Sequence, residues 1–207
     1  MTAGPRRVAV LGGTFDPIHT GHLAILEQVR RSVDAEEAWL LPTALPPHRR
    51  PAHASVDDRL AMVRAAAEGH PGVRVVEDEA RRSGPSYTID SLAELERAHP
   101  GVEFWLTLGA DAAREIGTWH RSAELLGRAR FVLVNRTGVP PLDAGEAARL
   151  GFEPARTRLI HVDSPPVSAT EIRRRVAGGE PLEGMVSAAV ERLIRERGLY
   201  RVAQDPV

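Results

Sequence analysis

Two histidines three residues apart, His19 and His22, stand between a glycine pair and an amphipathic run near the start of the chain. Imidazole donates or accepts hydrogen bonds at neutral pH. Val8–Leu11 is a short apolar run suited to a buried central strand. Gly12 and Gly13 are expected to stop it and let the backbone approach a ligand closely. Asp16-Pro17 is a turn pair, and Leu23, Leu26, Val29 and Val33 then share one helical face, with Thr20 as the expected N-cap. A strand that bends through glycines into a helix offers free N–H groups and the positive end of a helix dipole, which favour phosphate. The histidines would add donors at that place. A zinc pair or two surface histidines are the plainer alternatives, but metal ligation needs more partners than stand nearby.

Later stretches carry further groups able to meet a nucleotide. Pro46-Pro-His-Arg-Arg50 lies in a Pro-rich loop, where His48 and Arg49 are either part of a connector or cationic donors to phosphates. Pro85-Ser-Tyr-Thr88 opens a helix, and Tyr87 is equally well read as a core aromatic. Gly109-Ala-Asp111 ends a long apolar strand; Asp111 would cap a helix or accept from ribose hydroxyls. Trp119-His120 follows, with an indole among polar residues that could stack on a flat ring. Val167-Ser-Ala-Thr-Glu-Ile-Arg173 opens a late helix. Ser168 and Glu171 have capping-box spacing, which explains both without a ligand. Thr170 and Arg173 beside them nevertheless suit a triphosphate.

The elements that must position these residues alternate between strand and helix. Strands are expected at Val8–Leu11, Ala38–Leu41, Val73–Val76, Val102–Gly109 and Arg130–Asn135, with an edge strand at Arg158–Val162. Helices follow Gly21, Ser55, Thr88 and Ser168, and a last one runs from about Met185 to Glu196 before Gly198. This alternation predicts an α/β, Rossmann-like doubly wound parallel sheet with helices on both faces. Strand order 3-2-1-4-5 would put its reversal between the first and fourth strands, with His19 and His22 opposite Gly109 and Asp111. Nothing splits the chain, so 1–207 reads as one domain, its helices from about 168 packed on the same sheet.

The composition excludes several chemistries. All 27 basic residues are arginine, so no Schiff-base or Walker lysine exists. Cysteine is absent, and the formal net charge of −1 argues against broad nucleic-acid binding. No run is long enough to span a membrane and no signal peptide opens the chain, which points to the cytoplasm. Neither Gly-x-Gly-x-x-Gly nor Gly-x-x-x-x-Gly-Lys-Ser/Thr fits the glycine pair.

His19-Thr-Gly-His22 resembles the Thr/His-x-Gly-His element of a nucleotidyltransferase superfamily. The fuller Gly12-Gly-Thr-Phe-Asp-Pro-Ile-His-Thr-Gly-His22 resembles its bacterial nicotinate-nucleotide adenylyltransferases, as do the later blocks in their order. Arg49, where such enzymes often have lysine, and Val167, where they have isoleucine, depart from the pattern. The resemblance implies transfer of AMP from ATP to nicotinate mononucleotide, with Mg²⁺ carried by ATP, giving deamido-NAD and pyrophosphate. On this reading His19, His22 and Arg173 are catalytic. Gly12, Gly13, Thr14, Phe15, Gly109, Asp111, Ser168 and Thr170 join them at ATP. Asp16, His48, Arg49, Tyr87, Thr88, Trp119 and His120 meet nicotinate mononucleotide, and no protein metal site is expected. A sister adenylyl- or cytidylyltransferase, a nucleotide-binding regulator and a nicotinamide-dependent dehydrogenase are the alternatives. Oligomeric state is left open.

Overall fold

The computed structural model describes residues 5–43, 52–82 and 84–201. In chain order the elements are β1 (Arg6–Gly13), α1 (Thr20–Ser32), β2 (Glu37–Pro42), α2 (Val56–Ala67), β3 (Val73–Val75), α3 (Asp78–Arg81), α4 (Thr88–Ala98) and β4 (Val102–Gly109). They continue with α5 (Ala110–Arg114), a 3₁₀ turn (Ile116–Thr118), α6 (Ser122–Arg128), β5 (Arg130–Asn135), α7 (Ala144–Arg149), β6 (Thr157–His161), α8 (Ala169–Ala177) and α9 (Ala188–Glu196). The strands form one sheet in the order β3-β2-β1-β4-β5-β6, and every neighbouring pair is parallel. The order reverses between β1 and β4, as expected.

Burial on both faces explains the unbroken apolar strands. Side chains alternate along β1, so Ala9 and Leu11 join a core with Leu26, Met62, Ile172, Val190 and Ile194. Val8 and Val10 face the other way, toward Ile89, Leu92, Leu125 and Ala147. Helices α1, α2, α8 and α9 thus contribute to one core, and α4, α6 and α7 to the other.

Three local expectations are corrected. Gly12 and Gly13 do not stop β1; both still pair, with Leu41 and Pro42 of β2. Thr20 is the first residue of α1 and not its cap, because His19 holds the extended N-cap conformation. The Thr20 N–H and hydroxyl bond instead to the Met185 carbonyl, tying α1 to the turn before α9. That last helix begins at Ala188, capped by Ser187, and not at Met185.

Candidate active site

The loop from β1 to α1 is held from below. Phe15 is buried with a left-handed φ of 48°, and its ring lies where a side chain on Gly13 would fall, 3.0 Å from such a carbon. A side chain at Gly13 would need that ring to shift. The fully buried Arg59 of α2 donates from Nη1 to the carbonyls of Thr14 (2.6 Å) and Thr43 (2.7 Å). Asp16 precedes Pro17 through a cis peptide bond. The sequence reading gives Asp16 to nicotinate mononucleotide; in the structure its carboxylate is buried and serves the scaffold. It accepts from the N–H groups of His53 (2.6 Å) and Ala54 (3.1 Å) and from the Tyr200 hydroxyl (2.8 Å).

The two histidines form a unit. Their rings stack at 3.6 Å between centroids and 24° between planes, and the Phe15 ring meets His22 edge-on at 5.0 Å. The His19 N–H donates to Nδ1 of His22 (3.3 Å). In a neutral imidazole that leaves the proton on Nε2, so His22 presents a donor from its far side. Burial pushes His19 down to about 4 and holds His22 well below the usual imidazole range. Positive charge nearby adds to this, from His19 on His22 and from Arg136 on both. Gly21 is part of the same design: a methyl group there would lie 3.1 Å from Nδ1 of His19.

The start of α8 comes to the same place. Arg173 donates from Nη1 to the Asp16 carbonyl (2.6 Å) and from Nη2 to the Thr170 hydroxyl (3.3 Å). The guanidinium is therefore held beside the β1–α1 loop across 157 residues of sequence. Ser168 is the N-cap, its hydroxyl oxygen accepting from the Glu171 N–H (3.2 Å). That oxygen keeps its own proton for an outward hydrogen bond.

Across the sheet reversal, Asp111 lies in the first turn of α5 and is exposed; the N-cap is Gly109. Its carboxylate folds back over Gly109, so that a methyl group on Gly109 would sit 2.5 Å from Oδ1. Its other oxygen is 3.9 Å from Nη2 of Arg136. Arg136, which the sequence reading did not name, thus lies beside Asp111 and near both histidines. It directly follows β5, whose carboxyl end lies at the ligand-binding edge of such a sheet. That position was the available signal.

A second group forms where α4 begins. Tyr87 and His120 lie ring to ring at 4.2 Å, and both Tyr87 and Trp119 pack partly against the core. Arg121 donates to Asp90 (3.1 Å), which clamps the segment after Trp119 onto α4. Thr88 is the first residue of α4, and Tyr87 supplies no side-chain cap. The buried Glu79 of α3 accepts from the Ser91 hydroxyl (2.7 Å) in the first turns of α4. Burial raises the Glu79 carboxyl above its ordinary range. His48 and Arg49 lie outside the described residues.

The sequence matches the cytidylyltransferase-like family model over residues 10–175. It is 38% identical over 204 residues to a protein of Halalkalibacterium halodurans, covering 97% of this chain and 94% of that one. A protein of Exiguobacterium sibiricum is 39% identical over 196 residues, covering 94% and 98%. Both are named as probable nicotinate-nucleotide adenylyltransferases.

The chain belongs to the cytidylyltransferase-like family, among its nicotinate-nucleotide adenylyltransferases.

The fold agrees with this membership. The Plasmodium falciparum nicotinic acid mononucleotide adenylyltransferase complexed with NaAD superposes with a TM-score of 0.78 at 19% identity, covering 94% of this chain and 97% of that one. The same enzyme complexed with APC gives a TM-score of 0.76 at 18% identity, with the same coverage. The family's histidine element is the stacked pair at the β1–α1 junction. No helix among the described residues is long and apolar enough to cross a membrane.

Proposed function

We propose that the protein transfers AMP from ATP to nicotinate mononucleotide, releasing pyrophosphate and forming deamido-NAD. The observation that carries this reading is His22 stacked on His19 at the β1–α1 junction, its Nδ1 accepting from the His19 N–H, with Arg136 near enough to hold its pKa down.

A phosphate monoester oxygen attacks the α-phosphorus in line, and the bond to the β-phosphoryl oxygen breaks. The substrate supplies its own anionic nucleophile, so no side chain has to be acylated or phosphorylated. Catalysis then consists of bringing two anions together and stabilising charge as it moves to the bridging oxygen. His22 Nε2–H serves the α-phosphoryl oxygens, with His19 beside it on the triphosphate. Arg173 is already fixed by the Asp16 carbonyl and by Thr170, so little side-chain freedom remains to be lost when it meets the β- and γ-phosphates. The Ser168 and Thr170 hydroxyls join it. Arg136 gives a further cation, while Asp111 and the Gly109 backbone take the adenosine.

Phe15, Gly12, Gly13 and Thr14 form the floor under the nucleotide. Tyr87, Thr88, Trp119 and His120 form the wall for the pyridine ring; His48 and Arg49 are given to the acceptor by the sequence pattern alone.

Mg²⁺ enters with ATP. Among the described residues no three His, Cys, Asp or Glu side chains cluster to hold a metal, and the Asp16 carboxylate is filled by protein donors. A Mg²⁺ that keeps mostly phosphate oxygens and water as ligands fits these residues.

Mass spectrometry of the dinucleotide, beside pyrophosphate release, tests the reading on a panel of phosphomonoesters with ATP and Mg²⁺. Nicotinate mononucleotide is expected to be turned over well above pantetheine phosphate and nicotinamide mononucleotide. Preference for a phosphomonoester without a pyridine ring would overturn it.

A further inference from the structure

Tyr200 has no place in the mechanism above, yet its hydroxyl reaches the loop that carries the histidines, 184 residues away in sequence. Helix α9 ends in a Schellman motif. Leu199 N–H donates to the Ile194 carbonyl (3.0 Å) and Gly198 N–H to Arg195 (3.3 Å), with Gly198 at a φ of 61°. Leu199 then packs on the core, which turns the chain back toward β1. Tyr200 follows with a left-handed φ of 62°, a conformation disfavoured for a bulky residue. A strained tyrosine is thus held in one position by its surroundings, with its side chain aimed inward.

Its hydroxyl donates to Oδ1 of Asp16 at 2.8 Å. Burial, reinforced by the Asp16 carboxylate, keeps the phenol protonated and so a donor. Asp16 has two further donors, the N–H groups of His53 and Ala54, while its own carbonyl accepts from Arg173. One residue therefore joins three segments through its carboxylate and backbone: the tail after α9, the start of the stretch leading to α2, and the cation of α8.

We propose that Tyr200 is a positioning residue for Arg173, acting through Asp16. This rests on the reading of Arg173 as the β/γ-phosphate cation. The phenol fixes the Asp16 carboxylate, the carboxylate fixes the Asp16 peptide plane, and the carbonyl of that residue aims the guanidinium. Without the hydroxyl a buried carboxylate oxygen loses a donor, the residue re-seats, and Arg173 loses its fixed acceptor. The consequence falls on ATP and spares nicotinate mononucleotide, since among the described residues no hydrogen bond joins its expected wall at Tyr87 and Trp119 to this network.

The test is a double-mutant cycle read by calorimetric titration of ATP with Mg²⁺ into the full-length protein, using Tyr200→Phe, Arg173→Ala and the double variant. Tyr200→Phe keeps the ring, and a thermal melt checks that it folds. The expected result is a loss of about tenfold in ATP affinity for Tyr200→Phe, the scale for losing a hydrogen bond to a charged group. In the Arg173→Ala background the same change should cost less than about twofold, because the residue it positions is already gone. Nicotinate mononucleotide affinity should stay within about twofold throughout. A tenfold loss in both backgrounds would show a general structural role and overturn the proposal. So would unchanged ATP affinity in Tyr200→Phe while Arg173→Ala weakens ATP. If Arg173→Ala leaves ATP affinity untouched, the assignment of Arg173 itself fails, and the positioning role fails with it. Should Tyr200→Phe not fold, Asp16→Asn, which keeps the side chain's size, replaces it in the same cycle with the same expected and overturning results.

Discussion

The His19 N–H donates to Nδ1 of His22 at 3.3 Å, and this one bond decides which nitrogen of His22 faces the substrates. The acceptor role at Nδ1 leaves the Nε2 proton for a phosphoryl oxygen. Both rings are held neutral by burial in the free protein, so the site meets ATP with aligned donors and not with two competing charges. Anionic phosphate then brings in the negative charge that offsets Arg136 and Arg173.

The depressed histidines make stability depend on pH. His19 is pushed down to about 4 from an ordinary 6.5. The unfolded chain then binds a proton that the native state refuses, so the stabilisation is fully present above about pH 6.5 and is lost as pH falls toward about 4. The slope for one such histidine is at most about 1.4 kcal/mol per pH unit. Urea unfolding at about pH 7 and about pH 5 should show His19→Gln losing less stability over that interval than the parent. Equal losses would contradict the account of the buried pair.

Ser168 and Arg173 separate fold from ligand. Ser168 caps α8, so Ser168→Ala should cost about 0.5–2 kcal/mol of stability. Among the described residues Arg173 bonds to an exposed hydroxyl and one loop carbonyl, so Arg173→Ala should change stability less than it changes ATP affinity. Thermal melts beside calorimetric ATP titration decide this. Equal weakening of ATP and nicotinate mononucleotide by Arg173→Ala would remove the arginine from the triphosphate.

Gly109→Ala tests the adenosine side. The added methyl group would stand 2.5 Å from Oδ1 of Asp111, an exposed side chain that can swing away. Stability should therefore move by no more than about 0.5 kcal/mol, while the carboxylate leaves its place and ATP binding weakens. Unchanged ATP affinity would mean that Asp111 does not meet the nucleotide in its present position.

The acid should be preferred over the amide. Helix α4 begins at Thr88 without a side-chain cap, so its first-turn N–H groups and dipole favour a carboxylate. A carboxamide would turn its NH₂ toward one of those donors. Paired steady-state kinetics with saturating ATP should give at least about a hundredfold higher kcat/KM for nicotinate mononucleotide than for nicotinamide mononucleotide, roughly 2.7 kcal/mol. Comparable values would exclude the N–H groups as the discriminating contacts.

Local patterns were legible in the chain, and long-range polar contacts were not. The apolar runs of β1, β4 and β5, the Asp16-Pro17 turn and the Ser168–Glu171 cap each depend on neighbours within a few residues, so spacing reveals them. The sheet reversal followed from the alternation of strand and helix. Arg136 carries no motif; it matters because β5 lies two places from β1 in the sheet. Asp16 read as a ligand residue because its neighbours did, whereas its partners His53, Ala54 and Tyr200 come from 37 to 184 residues away. Glycine positions show the same division. Gly13 read as a turn open to a ligand and Gly21 as no more than a helix start, but the rings of Phe15 and His19 crowd their side-chain space.

The central claim is that His22 stabilises the transition state through Nε2–H and contributes little to holding ATP. The most direct measurement is kcat for deamido-NAD formation by His22→Ala, with the ATP dissociation constant from calorimetry on the same preparation. The account predicts a fall in kcat of about 10²–10³ with ATP affinity changed by less than about threefold, under 1 kcal/mol. A near-normal kcat, or a loss carried entirely by ATP affinity, would contradict it.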